Sequence, residues 1–281
     1  MSFYMQNKLT VIDHSVSGKS FELHYNDAYH MWVTHPKPSK EELPEYYESE
    51  DYISHTDGKR SIFEFAYQFV KGIMLSQKHK LIKRYCPQGK TLLDIGAGTG
   101  DFLKHCQKNA WIVEGVEPND GARNRAIEKN LKVQSQIGQI SKTYDVITMW
   151  HVLEHVYDLE EQMVWLKKHL SKTGVLLVAV PNFESYDASY YGSNWAAYDV
   201  PRHLYHFSQK AITTLFAKTA MEIKATHPLH FDAYYVSMLS EKYRGPKSNR
   251  LNGIYRGWIS NRKAKQTGAY SSLIYVITHK T

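Results

Sequence analysis

Short apolar strands alternate with helical segments between residues 91 and 180, and this alternation limits the folds open to the chain. The pattern predicts strands at 91–95, 111–117, 131–135, 144–150 and 175–180. It predicts helices at 99–109 and 120–130, and a third that begins after Asp158. Strand–helix alternation at this pitch indicates a mostly parallel sheet covered by helices on both faces.

The segment that precedes this region has a different pattern. Residues 1–60 contain Pro36, Pro38 and Pro44, which interrupt regular structure, and they predict an N-terminal cap that is either irregular or a small β-rich unit. Apolar residues then recur at helical spacing over 62–84, which predicts an amphipathic helix.

The segment that follows the alternation also differs from it. Residues 183–208 are aromatic and irregular, and about 40 residues precede the final predicted strand at 273–278. A gap of that length is too long for a hairpin loop. We therefore expect one domain over 61–281, with insertions at about 183–208 and 230–271.

Composition excludes several classes of protein. Hydrophobic residues make up 42% of the chain and charged residues 22%, so a sizeable core is expected and wholesale disorder is not. No run approaches the roughly 18 uncharged apolar residues that span a bilayer. The two cysteines, Cys86 and Cys106, are too few for a disulfide framework or a four-cysteine zinc site. A reducing cytoplasm is the expected location.

The glycine loop after the strand at 91–95 is the sharpest functional signal. Gly96, Gly98 and Gly100 follow Asp94, and glycine lets a ligand approach the backbone closely. The spacing differs from the Gly-x-Gly-x-x-Gly dinucleotide fingerprint, and a carboxylate before the loop would repel a pyrophosphate. The same carboxylate would attract an ammonium group. The expected ligand therefore carries a cation here, as the amino-acid end of S-adenosylmethionine does.

A second acid stands at the end of the next predicted strand. Glu117 follows Asp94 by 23 residues. An acid at this position accepts hydrogen bonds from the two ribose hydroxyls in nucleoside-binding α/β proteins. The loop and the two acids together predict a site for S-adenosylmethionine.

Residues 91–182 resemble the class I S-adenosylmethionine-dependent methyltransferases. The resemblance rests on the loop at 94–100, Gly-Val-Glu-Pro at 115–118, the block at 144–155 and Val-Ala-Val-Pro-Asn at 178–182. The last two blocks are similar to a small-molecule branch that includes ubiquinone-pathway O-methyltransferases and sugar C-methyltransferases. The resemblance implies an enzyme that methylates oxygen or carbon of a small-molecule acceptor. It also implies a Rossmann-like sheet of seven mostly parallel strands with helices on both faces and an antiparallel last strand.

The same resemblance assigns the cofactor contacts to the glycine loop and to the ends of the second and fourth strands. The expected cofactor-binding residues are Asp94, Gly96, Ala97, Gly98, Gly100, Phe102, Glu117, Pro118, Trp150 and His151.

The stretch at 195–208 is similar to the substrate-facing part of that branch. His203 aligns with a catalytic histidine of the sugar C-methyltransferases, and imidazole suits proton removal near neutral pH. Val200 and Arg202 replace the tyrosine and glutamate of that motif, which leaves O-methylation open. The secondary catalytic candidates are Tyr198, Asp199 and His206.

A zinc-binding alternative comes from His151, Glu154 and His155, which match the His-x-x-Glu-His motif of a class of zinc proteases. The glycine loop favours the methyltransferase interpretation instead. In this branch the cap usually carries a zinc ribbon, and the cap here resembles a degenerate one, because Asn26 and Tyr29 stand where one cysteine pair would be. We therefore expect no bound metal.

Residues 242–265 carry eight cations and no acid. The cations are Lys242, Arg244, Lys247, Arg250, Arg256, Arg262, Lys263 and Lys265, and Tyr243, Tyr255 and Trp258 lie among them. An anionic acceptor, or an anionic membrane surface contacted peripherally, would use these charges, whereas a solvated surface needs no partner. Two further alternatives are a nucleic-acid-modifying methyltransferase, although no base-stacking motif is recognisable, and a non-catalytic S-adenosylmethionine-binding protein.

Overall fold

The structure, a computed structural model, describes residues 8–47, 62–245 and 249–280, with residues 62–70 described by their backbone only. Its strands are β1 (Lys8–Ile12), β2 (Ser20–Asn26), β3 (Met31–His35), β4 (Thr91–Ile95), β5 (Ile112–Val116), β6 (Val133–Gln134), β7 (Tyr144–Trp150), β8 (Leu170–Pro181), β9 (Tyr205–His206), β10 (Met221–Pro228) and β11 (Ser272–His279). Its α-helices are α1 (Ile62–Tyr85), α2 (Asp101–Lys108), α3 (Asp120–Glu128), α4 (Leu159–His169), α5 (Tyr186–Tyr191), α6 (Gln209–Ala217), α7 (His230–Tyr243) and α8 (Arg250–Thr267). Residues 1–7 and 48–60 of the predicted cap, and Lys247 of the predicted basic segment, lie outside the described residues.

Seven strands form the central sheet in the order β10, β11, β8, β7, β4, β5, β6. The pairs within β8, β7, β4, β5 and β6 are all parallel. Strand β11 is antiparallel to both of its neighbours, β10 and β8. This topology confirms the predicted Rossmann-like sheet with an antiparallel last strand.

The two faces of the sheet are covered by different helices. Successive side chains of a strand point to opposite faces, so Leu92 and Val146 belong to one apolar cluster while Leu93 and Ile147 belong to another. The first cluster contains side chains of α1, α2 and α3, and the second contains side chains of α4 and α6. Near-continuous apolar strands are typical of a parallel sheet that is buried on both faces.

The carboxyl ends of β4, β5, β7 and β8 meet at one edge of the sheet, since these strands are parallel. The glycine loop starts at this edge. The backbone N–H groups of Gly96 and Ala97 both donate to the carbonyl of Val116, over 2.8 and 3.0 Å. These hydrogen bonds fix the loop against the end of β5, which is where ligands bind in open α/β sheets.

The N-terminal strands form a separate antiparallel sheet in the order β1, β2, β3, β9. Strand β9 comes from the stretch at 195–208, so the cap sheet is completed by that stretch. Thr34 strengthens this connection, because its hydroxyl donates to the carbonyl of His203 over 2.6 Å and its N–H donates to the carbonyl of Leu204. Trp32 packs in one apolar cluster with Trp195.

The insertion before β11 is a pair of packed helices, α7 and α8. Two glycines of α8 permit a close approach, because a Cβ at Gly253 would meet the backbone of Met238 at 2.6 Å and one at Gly257 would meet the carbonyl of Ala233 at 2.7 Å. Among the described residues, we find no helical segment with the length and hydropathy of a bilayer span.

A buried carboxylate fixes this helix pair to the rest of the domain. Asp187 accepts hydrogen bonds from the Trp195 indole N–H at 2.8 Å and from the hydroxyls of Ser260 and Ser271 at 2.6 Å each. It therefore joins the 195–208 stretch, α8 and the start of β11.

Candidate functional site

Asp94 is the last but one residue of β4 and leaves only 2% of its surface exposed. Its carboxylate accepts a hydrogen bond from the hydroxyl of Thr148 on the neighbouring strand β7, at 2.6 Å. Burial raises the pKa of Asp94 to about 7, although the Thr148 hydrogen bond and the Lys78 charge oppose that rise. A cationic ligand would favour the ionised form of this carboxylate.

Glu117 follows β5 and faces the glycine loop. One of its carboxylate oxygens accepts the N–H of Gly98 at 2.8 Å, and the other accepts the N–H of Asn119 at 2.9 Å. Arg123 donates to the carbonyls of Glu117 and Pro118, which fixes the turn that presents the acid. The structure thus brings together the two acids and the loop that the sequence predicted to meet.

All three glycines of the loop have left-handed backbone, with φ of +74° at Gly96, +54° at Gly98 and +76° at Gly100. They differ in their surroundings. A Cβ at Gly96 would lie 2.3 Å from Cγ2 of Val152, and one at Gly100 would lie 2.5 Å from Leu131. A Cβ at Gly98 would meet no atom within 4 Å. Only Gly98 of the three therefore borders open space.

An aromatic pair lies beside the loop. Phe102 and Trp150 contact each other edge to face, with ring centroids 5.5 Å apart. The ammonium of Lys78, on α1, lies 4.3 Å from the Trp150 centroid and in the field of Asp94 and Asp232. Burial lowers the pKa of Lys78, and the two carboxylates oppose that fall. The Trp150 indole N–H is buried without a hydrogen-bond partner among the described residues.

His151, predicted as a cofactor contact, has a φ of +57° directly after β7. Its Nε2 lies 2.9 Å from a carboxylate oxygen of Asp232 on α7, and its Nδ1 lies 3.3 Å from Oε1 of Glu154. Burial would lower the pKa of His151, but these two carboxylates outweigh burial and raise it to about 10. The two carboxylates therefore favour the protonated, cationic ring of His151.

The four predicted catalytic residues lie close to one another. His203 Nδ1 contacts the carbonyl of Ala197 at 2.9 Å, and its Nε2 lies 3.8 Å from Asp199. Asp199 makes two hydrogen bonds with Arg202, and that guanidinium and His203 hold its pKa low against the opposing effect of burial.

The remaining two candidates, Tyr198 and His206, are buried side by side. Their ring centroids are 5.4 Å apart. His206 also contacts the Thr34 hydroxyl at 3.0 Å, and burial lowers its pKa well below the usual range. A narrow cleft beside them is lined by Pro181, Phe183, Trp195, Ala197, His203, Tyr205 and His206.

Glu154, His155 and His203 form a cluster that the sequence did not predict. One ligand atom of each side chain lies within 4.8 Å of the others. Burial and the neighbouring His203 lower the pKa of His155 to about 4. The protease-like pairing of His151 with His155 is not formed, because residues 153–155 are a 3-10 turn and His151 contacts Asp232 instead.

Sequence reasoning missed two further residues of this edge, Lys78 and Asp232. Lys78 is a polar position inside an amphipathic helix, and Asp232 is the acid in the first turn of α7. The sequence around neither residue indicates a role in the site, because each side chain reaches the site only after its helix packs over the sheet edge. Glu154 was assigned only to the alternative zinc motif.

The model of a family described as "Methyltransferase domain" matches residues 68–223, more than half of the chain. The chain belongs to this methyltransferase-domain family. The matched region contains both acids, the glycine loop and the His203 stretch, and it ends before α7. The Rossmann-like methyltransferase fold is thereby assigned to the sheet and loop described above.

Curated relatives of this methyltransferase-domain protein match only part of it. An uncharacterized methyltransferase of Alkaliphilus oremlandii is 32% identical over 35% of this chain and 48% of its own length. A ubiquinone biosynthesis O-methyltransferase of Coxiella burnetii is 26% identical over 43% of this chain and 57% of its own length. The corresponding protein of Haemophilus ducreyi is 25% identical over 55% of this chain and 72% of its own. The chain thus spans about half the length of the first two relatives.

Solved structures of low sequence identity share the fold. Magnesium protoporphyrin IX methyltransferase from Synechocystis, with bound S-adenosylhomocysteine, has a TM-score of 0.55 at 14% identity and covers 86% of this chain and 100% of its own. Phosphoethanolamine N-methyltransferase 2 of Haemonchus contortus has a TM-score of 0.51 at 15% identity, over 73% of this chain and 53% of its own.

The surroundings of Gly96 and Gly98 predict that a Gly→Ala substitution lowers the free energy of unfolding by different amounts at the two positions. Gly96→Ala combines left-handed strain with a clash against a stiff β-branched side chain, and should lower the free energy of unfolding by about 2–4 kcal/mol. Gly98→Ala carries the backbone strain alone and should cost about 1–2 kcal/mol. Denaturant unfolding of both variants measures the difference, and equal losses would show that Val152 does not confine Gly96.

Proposed function

We propose that this protein transfers a methyl group from S-adenosylmethionine to a small-molecule acceptor, by O- or C-methylation. The observation that carries the proposal is the convergence of Asp94 and Glu117 on one glycine loop at the carboxyl edge of β4 and β5. In this proposal Asp94 pairs with a cationic group of the ligand, and Glu117 accepts hydrogen bonds from its hydroxyl groups.

The residues at this edge fit such a cofactor. Gly98 borders open space, so a ligand can approach its backbone. The Trp150 indole N–H is a buried donor without a partner among the described residues, and so it is available to a ligand acceptor. The ammonium of Lys78 over the Trp150 ring marks a position that accepts positive charge, since aromatic faces and carboxylates both attract cations.

S-adenosylmethionine, when bound, supplies a methyl group already activated by its sulfonium. The chain then has to bind the cofactor and the acceptor, orient them for methyl transfer and exclude water. Asp94 would pair with the amino group, and the free lone pairs of Glu117 would accept the ribose hydroxyls. Phe102 and Trp150 would cover the reacting end, with Gly96, Ala97, Gly100, Pro118 and His151 as the remaining contacts of the pocket wall.

We assign binding of the acceptor to the stretch at 195–208. Of the four candidates, His203 is the one we assign to proton removal, because its Nδ1 bond to a backbone carbonyl leaves Nε2 as a lone pair. Asp199 is held by Arg202, and Tyr198 and His206 pack against each other. We assign these three to positioning of His203 and of the acceptor.

The small-molecule acceptor class is supported by the names of the relatives, of which several are ubiquinone biosynthesis O-methyltransferases. Neither a nucleic-acid substrate nor a non-catalytic binding role gains support from them. We keep residues 1–60 as a cap and 61–281 as the methyltransferase domain, since β1 to β3 form a sheet of their own that β9 completes. The cytoplasmic location remains a proposal, supported by two cysteines that are buried and free.

The Glu117 assignment predicts a specific loss of binding. Glu117→Ala removes the acceptor of two ribose hydroxyls and should weaken S-adenosylhomocysteine binding by about 1–3 kcal/mol, measured by calorimetry. Glu128→Ala, an exposed acid at the end of α3, is the matched control and should bind as the parent does. The melting temperature of both variants separates lost binding from a loosened loop. Unchanged affinity in Glu117→Ala would remove the ribose assignment.

The raised pKa of Asp94 predicts a pH-dependent affinity. Below pH 7 the carboxyl is mostly protonated and cannot pair with an ammonium group, so S-adenosylhomocysteine binding should strengthen as the pH rises through about 7. Asp94→Asn should bind more weakly and lose this dependence. Calorimetry at several pH values measures this dependence, and Asp27→Asn, at an exposed position in the turn between β2 and β3, is the control. A dependence that persists in Asp94→Asn would assign it to another group.

We also propose that the basic and aromatic surface of α8 binds an anionic partner, either an anionic acceptor or an anionic membrane. Leu251, Tyr255 and Trp258 are 71%, 54% and 46% exposed, and cations lie among them. Arg256 lies over the ring of Tyr190 at 4.1 Å and Lys263 over that of Tyr186 at 4.0 Å, so both cations are held close to aromatic rings. Aromatic and basic side chains together suit a charged interface.

Charge-dependent binding at this surface should weaken as ionic strength rises, because salt screens exposed charges. We expect association with anionic liposomes, or binding of an anionic acceptor, to fall with added salt. The combined change of Arg256, Arg262 and Lys263 to Gln should remove most of that dependence. Changing Lys167, Lys168 and Lys172 to Gln removes the same number of charges near the start of β8. This control should leave the salt dependence unchanged. Salt-independent acceptor binding without liposome association would leave the surface as plain solvated protein.

A further inference from the structure

One face of α8 lies along the short helix α5. Ser260 of α8 donates to a carboxylate oxygen of Asp187 on α5 at 2.6 Å, which fixes the two helices side by side. Arg256 and Lys263 are four residues before and three residues after Ser260. Residues three and four positions apart on a helix are neighbours, so these two cations share the face that meets α5.

Two tyrosine rings of α5 meet these cations. The rings of Tyr186 and Tyr190 are stacked, with centroids 6.1 Å apart. Lys263 lies 4.0 Å from the Tyr186 centroid, and Arg256 lies 4.1 Å from the Tyr190 centroid. A third cation, Arg244, follows α7 and donates to the Tyr190 hydroxyl at 3.3 Å. Three cations therefore line one row of stacked rings.

The acids near this row do not balance its charge. Of the three cations, only Arg244 forms an ion pair with an acid among the described residues, at 3.8 Å from Glu241. Glu241 is shared, because it also accepts hydrogen bonds from Tyr191 and Asn252. Asp187 already accepts three hydrogen bonds from uncharged donors. The row therefore keeps an excess of positive charge, which an anionic ligand would neutralise.

The position of Arg256 over a ring suits it to bind an oxyanion. A guanidinium stacks on a ring through its flat face, and the N–H donors at its edge are then left for a ligand. Its Nε is buried and has no hydrogen-bond partner among the described residues. The neighbouring phenol lies in the same positive surroundings. Burial would raise the pKa of Tyr190, but hydrogen bonds from Arg244 and Asn252 lower it.

We propose that Arg244, Arg256 and Lys263 form a discrete binding site for a phosphoryl group. Arginine binds phosphate oxygens through two parallel N–H donors, and lysine adds a point charge. Since the cations are spread over two rings 6.1 Å apart, a diphosphate matches the row better than a single phosphate. A soluble phosphorylated ligand and a phospholipid headgroup both carry this group, and the two sources are separated below by different probes.

This phosphoryl site rests on the proposed function, since it places the anionic partner of α8 on the face toward α5. The cofactor site is separate, because none of the three cations is among the predicted cofactor contacts or catalytic residues. Tyr255, Trp258 and Arg262 lie on another face of the same helix, where Arg262 is 5.5 Å from the Trp258 centroid. That face supplies the control.

The test is calorimetric titration of the full chain with inorganic pyrophosphate, at low ionic strength because salt screens exposed charges. We expect saturable binding to a single site. Arg256→Gln should weaken it roughly 10–100-fold, as the loss of charge-assisted hydrogen bonds does. Arg256→Lys keeps the charge without the fork and should not restore full affinity. Lys263→Gln should also weaken binding, whereas Arg262→Gln removes the same charge one position away and should not.

Circulair dichroism shows which variants fold, and Lys263 and Arg262 are both exposed, so their replacement leaves the packing intact. The proposal is overturned if the parent does not bind pyrophosphate, or if Arg262→Gln weakens binding as much as Lys263→Gln does. It is also overturned if folded Arg256→Gln binds as tightly as the parent.

Sedimentation with vesicles of phosphatidylcholine and phosphatidylglycerol separates the two sources. Pyrophosphate binding without vesicle association assigns the site to a soluble ligand, and vesicle association that requires Arg256 but not Arg262 assigns it to a lipid headgroup. Vesicle association that both variants reduce equally, without pyrophosphate binding, overturns the discrete site and retains the anionic partner of α8. If neither probe binds, that partner is lost as well, while S-adenosylhomocysteine binding by the same preparation still tests the cofactor site.

Discussion

Buried charge at the carboxyl edge of the sheet constrains the rest of the structure. Asp94, Lys78, Asp232, His151 and Glu154 follow one another across this edge with alternating sign. Asp94 and Glu154 are buried, and an unpaired buried charge costs several kcal/mol, so these two carboxylates require the partly buried charges between them. Since the five come from β4, α1, α7 and the segment after β7, their pairing fixes how the two helices lie over the edge.

The edge is thereby divided into two regions with different chemistry. The region around the glycine loop combines carboxylates with aromatic rings, which suits a ligand that bears both a cation and hydroxyl groups. The region around His203 combines imidazoles with carboxylates, which suits proton transfer. Glu154 joins them, because its carboxylate lies 3.3 Å from Nδ1 of His151, a predicted cofactor contact, while its carbonyl accepts the N–H of Leu204 beside His203. The cap holds the second region through Thr34.

The family match ends at residue 223, and this boundary separates general from particular features. The five parallel strands β4 to β8, the glycine loop and both acids lie inside it. Helices α7 and α8 lie beyond it, and they contribute Asp232 and the basic, aromatic surface. Features that select one acceptor among many are therefore expected in the cap and in this helix pair, whose sequences the family model does not cover.

The sequence by itself determined the strand–loop–helix unit and the meeting of Asp94 with the loop and Glu117. The reason is geometric: both acids end adjacent parallel strands, and the carboxyl ends of such strands lie at one edge whatever the rest of the chain does. Only the tertiary structure decided that Lys78 and Asp232 reach this edge and that His203 meets Glu154. These contacts depend on how distant helices and a cap strand pack, and no periodicity or local spacing encodes the distance between segments that meet only through packing.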